Sequence, residues 1–214
     1  MRVLDYTRRD AWKASGAGLL LVLTPLAIEL GIKPEGNPAL HLAMWVAAAW
    51  GGWLVLWTLR IALSPHKSPA LRRLHKRPNI DAVIQEIDRE LEEDGTVVWS
   101  TIRITRNWLV VFQMGATVIP LEEIVGITKQ SRVSHGRKIH SIQVYTSDGG
   151  SEHFGCRNEL AALGVVAQVI LKSPGALTDD DLPRRWIKER DSVINEVLVQ
   201  RKKMRTMLKE QEKQ

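Results

Sequence analysis

The feature that most constrains this chain is a pair of apolar runs near its N-terminus, at residues 14–32 and 39–59. A helix of ~20 residues rises ~30 Å, which matches the hydrocarbon core of a bilayer. The join KPEGNP, at 33–38, is short and rich in proline and glycine. We therefore predict a transmembrane helical hairpin over residues 14–63.

The orientation of this hairpin follows from the lysines and arginines that flank it. The join carries only Lys33, whereas both flanks are basic, with Arg2, Arg8, Arg9 and Lys13 on one side and Arg60, Lys67, Arg72, Arg73, Lys76 and Arg77 on the other. The positive-inside rule then predicts both termini in the cytoplasm. A cleaved signal peptide over 1–32 is the competing interpretation, and the second apolar run weighs against it.

Small and large residues divide the predicted helices into faces. Small side chains let helix backbones approach closely, so the candidate packing residues of the hairpin are Gly18, Ala48, Gly51 and Gly52. Half of the eight tryptophans lie in residues 43–59, and Trp50, Trp53 and Trp57 fall on the opposite face. That face contacts either lipid or a second copy of the hairpin, which would make the protein a homo-oligomer.

Two ionisable residues lie inside the predicted spans. Glu29 and His41 each fall near the outer end of a small-residue stripe, and we expect them to pair across the hairpin. Intramembrane ionisable residues are functional candidates, but both positions are close enough to water for a purely structural role. A proton or ion pathway through this pair is the less favoured reading.

The remainder of the chain is charged and mixes helix and strand patterns. Residues 64–79 form a basic, proline-containing linker, and 80–93 have the spacing of an amphipathic helix. Strands are predicted at 96–105, 108–112, 117–120, 125–133, 139–146 and 151–156. A helix follows at 158–173, with Leu160, Leu163, Val166, Ala167 and Ile170 as its expected buried stripe. A last helix from Pro183 has Trp186, Ile187, Val193, Ile194, Val197 and Leu198 as its apolar stripe.

This order predicts an α+β fold in which a bent antiparallel sheet or small barrel is closed by a helix. ITRNWLVVF at 104–112 supplies a strand end, a turn and an aromatic strand, VIPLEEIVGITKQ at 118–130 places PLEEI before the next long strand, and YTSDGG at 145–150 precedes a short strand and a helix. The arrangement resembles small bacterial membrane proteins that have two transmembrane helices and a cytoplasmic pleckstrin-homology-like (PH-like) domain.

The resemblance covers roughly residues 80–173 and implies a binding or scaffolding module at the bacterial inner membrane, without catalysis. The predicted organisation is a basic N-terminus at 1–13, the hairpin at 14–63, the linker at 64–79, the PH-like domain at 80–175, and a C-terminal amphipathic helix with a charged tail at 176–214.

Sequence motifs for catalysis are not found. GxxxxGK[ST], GxGxxG and GxSxG do not occur in the chain. His153 and Cys156 would face opposite sides of a strand, which disfavours a zinc site. Cys156 is the only cysteine and has no identifiable base to activate it. We therefore predict no catalytic residue, no metal and no cofactor.

The net charge of +6 needs no nucleic acid to explain it, because membrane topology alone accounts for a basic balance. The chain shows neither a helix-turn-helix nor an aromatic–basic surface. The best candidate for anion binding is the hairpin SRVSHGRK at 131–138, where Arg132, His135, Arg137 and Lys138 could hold an anionic lipid headgroup. An ordinary solvated hairpin is the alternative.

These observations favour a membrane-anchored binding or scaffolding protein, not an enzyme, that recruits an unidentified protein or senses anionic lipid. The alternative function is a small transport or channel-accessory subunit that uses Glu29 and His41.

Overall fold

The computed structural model describes residues 2–32, 38–93, 95–113 and 115–211, without the side chains of 29–32. It divides into two compact units. The first comprises Met1–Asp88 and Met114–Ala116, and the second comprises Arg89–Gln113 and Thr117–Gln214.

Two long apolar helices dominate the first unit. Helix α1 spans Val3–Ile32 and helix α2 spans Pro38–Leu63. The stretches Val3–Ile28 and Pro38–Leu63 are long and apolar enough to cross a membrane. The two predicted apolar helices are therefore confirmed, while most of their join, at 33–37, lies outside the described residues.

Helices α1 and α2 meet through glycine and hydroxyl side chains. A Cβ added to Gly51 would lie 2.9 Å from the carbonyl oxygen of Gly18, so the two backbones approach as closely as glycine allows. Further toward the N-terminus of α1, the Ser15 and Thr58 hydroxyls share a buried hydrogen bond of 2.6 Å. This bond satisfies both polar groups inside an otherwise apolar contact.

A chain of 3-10 turns links α2 to the next helix. The turns cover Pro65–Lys67, Pro69–Leu71 and Leu74–Lys76, and helix α3 then spans Ile80–Glu92. Asn79 caps α3, because its side-chain oxygen accepts the amide N–H of Ala82 at 3.3 Å. The apolar face of α3 is buried at Ile84, Ile87 and Leu91.

The second unit contains two antiparallel sheets. The first sheet has four strands in the order β1-β2-β3-β4, namely Val97–Trp99, Ile102–Ile104, Trp108–Phe112 and Ala116–Pro120. The segment 96–105 was expected to be one strand, and this prediction is wrong. Ser100 has a positive φ of 56° and turns the chain, so that Trp99 pairs with Ile102.

The second sheet has three strands in the order β5-β6-β7, namely Ile124–Ser134, Arg137–Thr146 and Ser151–Cys156. A short 3-10 turn, Leu121–Glu123, joins the two sheets. The α+β class is confirmed, but the sheets do not close into the small barrel that was one of the expected forms.

Each edge of the second sheet is covered over part of its length. Along β5, the Leu177 amide donates to the carbonyl of Val125 at 3.0 Å, and the Ile127 amide donates to the carbonyl of Leu177 at 2.9 Å. At β7, the Gln113 side chain donates to the carbonyl of Gly155 at 2.7 Å and accepts the amide of Gly155 at 3.1 Å. At this one residue the Gln113 amide makes the hydrogen bonds that a neighbouring strand would make.

Helix α4, Glu159–Lys172, closes the core between the sheets, capped by Asn158. Its buried residues are Ala161, Ala162, Val165 and Val169. The expected stripe was wrong, because Leu160, Leu163, Ala167 and Ile170 are exposed and Val166 is only partly buried. A Cβ at Gly164 would clash with the indole of Trp99, so only a small-residue face fits against this part of the core.

Helix α5, Leu182–Gln211, covers the outer face of the second sheet and has a kink at Glu189. The alternation of a strand sends Val144 into the core with α4 and Tyr145 toward α5. Tyr145 packs on Trp186, with ring centroids 4.9 Å apart, and Val193 and Val197 complete the contact. Ile187, placed in the predicted stripe, is 86 % exposed, and Leu198 is also exposed.

Arg201 fastens the far half of α5 to the domain. Its guanidinium donates to the carbonyls of Glu122, Ile124 and Pro174 and to the Ser173 hydroxyl. The planar arrangement of donors suits several acceptors at once, which a lysine ammonium cannot reproduce in the same directions. Burial lowers the pKa of Arg201 from its ordinary value.

We expect Gly51→Val to weaken the α1–α2 contact, because the added carbons would overlap the Gly18 backbone. Gly52→Val is the matched control, since a Cβ at Gly52 meets nothing within 4 Å. Both variants change one glycine of the same pair to the same side chain. Both variants therefore change helix propensity equally, and they differ only in whether the new side chain meets α1.

The measurement is oxidative cross-linking of Ser15→Cys with Thr58→Cys, in a Cys156→Ser background. The native hydroxyls lie 2.6 Å apart, so the two thiols should react readily. Cross-linking should fall in the Gly51 variant and persist in the Gly52 variant. An equal yield in both would contradict the close approach.

Replacing Arg201 with lysine should destabilise the second unit by about 2 kcal/mol, because the buried residues Ile124 and Ser173 lose a charged donor. Thermal unfolding of the detergent-solubilised chain, followed by circular dichroism, measures this effect. Arg205→Lys, on the exposed surface one turn further along α5, is the control and should leave the midpoint unchanged.

Candidate binding surfaces

The β5–β6 hairpin, where anion binding was expected, ends in a tight turn at His135 and Gly136. Both have positive φ, 50° and 73°, which is the conformation of a type I′ hairpin turn. Arg132 pairs with Ile139 and Ser134 pairs with Arg137. These pairs are two residues apart, so Arg132 and Arg137 share one face of the hairpin.

Lys138 lies on the other face of the same hairpin, because it pairs with Val133. That face also carries Lys129, whose ammonium contacts the Glu159 carboxylate at 2.5 Å. The hydrogen bond from Lys129, followed by the charges of Lys129, His140 and Lys138, lowers the pKa of Glu159. Arg132 and Arg137 therefore share one face of the hairpin. Lys138 lies on the other face, where its charge helps to lower the pKa of Glu159.

The pairing of Glu29 with His41 remains a prediction. Glu29 lies in α1, but its side chain is outside the described residues, and His41 is half-buried in the first turn of α2. Among the candidate packing residues, Gly18 and Gly51 lie in mutual contact, Ala48 is half-buried, and Gly52 is away from the contact.

The tryptophans of α2 form a continuous exposed row. Trp53 stacks on Trp57 with ring centroids 6.1 Å apart, and Trp50 lies 5.3 Å from Trp53. All three side chains are exposed. In a membrane this row would contact lipid or a second hairpin.

A second apolar surface lies on α4, where the sequence pattern predicted core. Leu160 and Leu171 are 70 % and 74 % exposed, and Leu163, Ala167 and Ile170 are exposed between them. We call these five residues the α4 stripe. The periodicity of this stripe was visible in the sequence. The sequence did not show that α4 carries two apolar faces, or that the face with the smaller side chains is the buried one.

A cleft of about 490 Å³ lies in the first unit, at the end of the hairpin where α1 begins and α2 ends. Its charged and aromatic lining includes Asp10 and Lys13 of α1 and Trp57 of α2. In the sequence, Lys13 is a topology signal and Trp57 an interface signal, whereas no pattern marks Asp10. The register between the two helices, which brings the three residues to one cleft, is not visible in the sequence.

The described residues show no group of three or more His, Cys, Asp or Glu side chains that could hold a metal ion. Cys156 is partly buried beside the core, and burial raises the pKa of its thiol. A raised pKa reduces the thiolate fraction at neutral pH, which is opposite to what a nucleophile requires. No family model matches the chain, and no curated protein or solved structure is detectably similar to it.

We expect Cys156 to react with iodoacetamide at pH 7.5 more slowly in the native chain than in the denatured chain, because the thiolate is the reactive form. The rate should keep rising with pH after the denatured thiol has reached its plateau. Ser151→Cys in a Cys156→Ser background provides an exposed thiol on the same strand for comparison. A native Cys156 as fast as that control would contradict the raised pKa.

Proposed function

We propose that this protein is a membrane-anchored scaffold at the cytoplasmic face of the bacterial inner membrane, assembled through the α4 stripe. The two apolar helices support the anchor, and their basic flanks support cytoplasmic termini. The observation that carries the scaffolding role is the exposed α4 stripe, because apolar side chains clustered on one helix face mark an interaction surface.

A PH-like fold for the second unit is part of this proposal. Four-stranded and three-stranded antiparallel sheets followed by a closing helix support it, as does the PLEEI segment between the sheets. PH-like domains commonly act as binding modules. The assignment therefore agrees with a scaffold and supplies no catalytic step.

The spacing of the α4 stripe favours another helix as its occupant. Leu160, Leu163, Ala167 and Ile170 follow each other at intervals of three, four and three, which is the seam of a two-helix coiled coil. A second copy of α4 meets this requirement without any further protein. We therefore assign the stripe to self-association.

Antiparallel pairing of two α4 helices is the arrangement that their side chains favour. It places Leu160 of one copy near Leu171 of the other, and Leu163 near the small Ala167. Large residues thus face small ones at the centre, which permits close packing.

Self-association gives the scaffold its proposed use at the membrane. Arg132 and Arg137 share one face of each β5–β6 hairpin, and basic residues gain about 1 kcal/mol each near an anionic surface. One such pair binds anionic headgroups weakly. Two linked copies bind more strongly, because the second contact becomes intramolecular.

The decisive experiment mixes two populations of the full chain, Leu160→Cys and Leu171→Cys, both in a Cys156→Ser background and reconstituted in bilayers. Antiparallel pairing predicts cross-links between Leu160→Cys and Leu171→Cys chains, and few between identical chains. Leu208→Cys, an exposed α5 position, is the control and should not cross-link with either.

Leu163→Asp should weaken the dimer at least about tenfold, since burial of a leucine side chain contributes about 1.5 kcal/mol or more. Sedimentation of the detergent-solubilised chain measures this change, with Leu208→Asp as the matched control. Cross-links only between identical α4 variants, or a dimer insensitive to Leu163→Asp, would refute assembly through the antiparallel stripe. If replacement of Trp53 dissociated the dimer instead, the interface would lie at the tryptophan row of α2.

A further inference from the structure

The cleft beside Asp10 and Lys13 has the properties of a site for one membrane lipid. It holds about 490 Å³, and all of its walls belong to the first unit. Ala14, Trp57 and Ile61 supply its apolar walls, while Asp10, Lys13 and Ser68 supply charge and hydrogen-bonding groups. Lipids that only surround the apolar surface of a membrane protein do not need such polar groups.

The polarity of the cleft runs along the proposed membrane normal. Because α1 and α2 form a hairpin, Ala14 and Trp57 lie toward the membrane centre, and Ser68 follows α2 on the cytoplasmic side. Trp57 is 44 % exposed, and tryptophan is enriched at the level of lipid headgroups. Trp57 thus marks the boundary between headgroups and acyl chains, and Asp10 and Ser68 lie on the cytoplasmic side of it.

The order of the two charges selects the headgroup. Lys13 and Asp10 are three residues apart on α1, which offsets them by about 4.5 Å along the helix axis, with Lys13 nearer the membrane centre. In a phospholipid that ends in a primary amine, the phosphate is also the deeper group. The ammonium lies beyond it, across a two-carbon bridge.

We propose that this cleft binds a single zwitterionic aminophospholipid, with its phosphate at Lys13 and its ammonium at Asp10. The inference rests on the proposed membrane insertion of the hairpin. It differs from general attraction of the basic flanks to anionic lipid, because an anionic headgroup without an amine has no positive charge to place beside Asp10. Charge-assisted hydrogen bonds favour a primary ammonium over a quaternary one, which has no N–H to donate.

The test is native mass spectrometry of the detergent-solubilised full chain. The chain is mixed with equal amounts of phosphatidylethanolamine, phosphatidylcholine and phosphatidylglycerol that carry identical acyl chains. We expect phosphatidylethanolamine as the first retained lipid, at least about fivefold over each of the others, which corresponds to ~1 kcal/mol. Preferential retention of phosphatidylglycerol, or retention of all three in equal amounts, would overturn the proposal.

Two substitutions test the two charged residues of the cleft one at a time. Asp10→Asn should reduce the preference for phosphatidylethanolamine over phosphatidylcholine to parity, and Lys13→Gln should lower retention of all three lipids. Arg9→Gln changes an exposed neighbour and should change neither result. An Asp10→Asn chain that keeps the full preference would exclude Asp10 as the ammonium ligand, whereas an equal effect of Arg9→Gln would show only general electrostatic attraction.

Circular dichroism shows whether each variant keeps its helices, so that a loss of lipid is not confused with unfolding. Failure of membrane anchoring would appear separately, as a chain that stays soluble without detergent. Failure of the scaffold would appear in the α4 cross-links, which none of these α1 substitutions should affect.

Discussion

The fit of Trp99 over Gly164 is the constraint on which the second unit depends. Because any side chain at position 164 would overlap the indole, α4 can enter the core only with its small residues facing inward. Ala161 and Val165 are then buried, and the leucines are turned outward. One tight contact therefore determines both the core of the domain and the surface that we assign to assembly.

The same use of glycine appears between α1 and α2, although the surroundings differ. In the proposed bilayer, lipid chains are as apolar as leucine, so helices associate through close packing and not through the hydrophobic effect. Gly18 and Gly51 permit that packing, and Ser15 and Thr58 add a satisfied polar contact. Gly52, although adjacent to Gly51, takes no part, so composition alone does not identify the packing residue.

The sequence predicts elements better than it predicts their partners. Apolar length and periodicity locate α1, α2, α3 and most strands, because these are local properties. The turn at Ser100 escapes prediction, since its neighbours are β-branched or aromatic and nothing marks a break. Three features depend on contacts or register between distant segments: the inward face of α4, the separation of Lys138 from Arg132, and the presence of Asp10 and Trp57 in one cleft.

The partly covered edges of the second sheet bear on how copies of this chain can associate. Unpaired strand edges are templates for uncontrolled β-sheet growth, particularly where a membrane concentrates identical chains. Leu177 pairs with β5, and the Gln113 amide takes the hydrogen bonds of Gly155 on β7. With those backbone groups already bonded, the sheet cannot be extended by a second copy at Val125, Ile127 or Gly155, so sheet growth is blocked at these points.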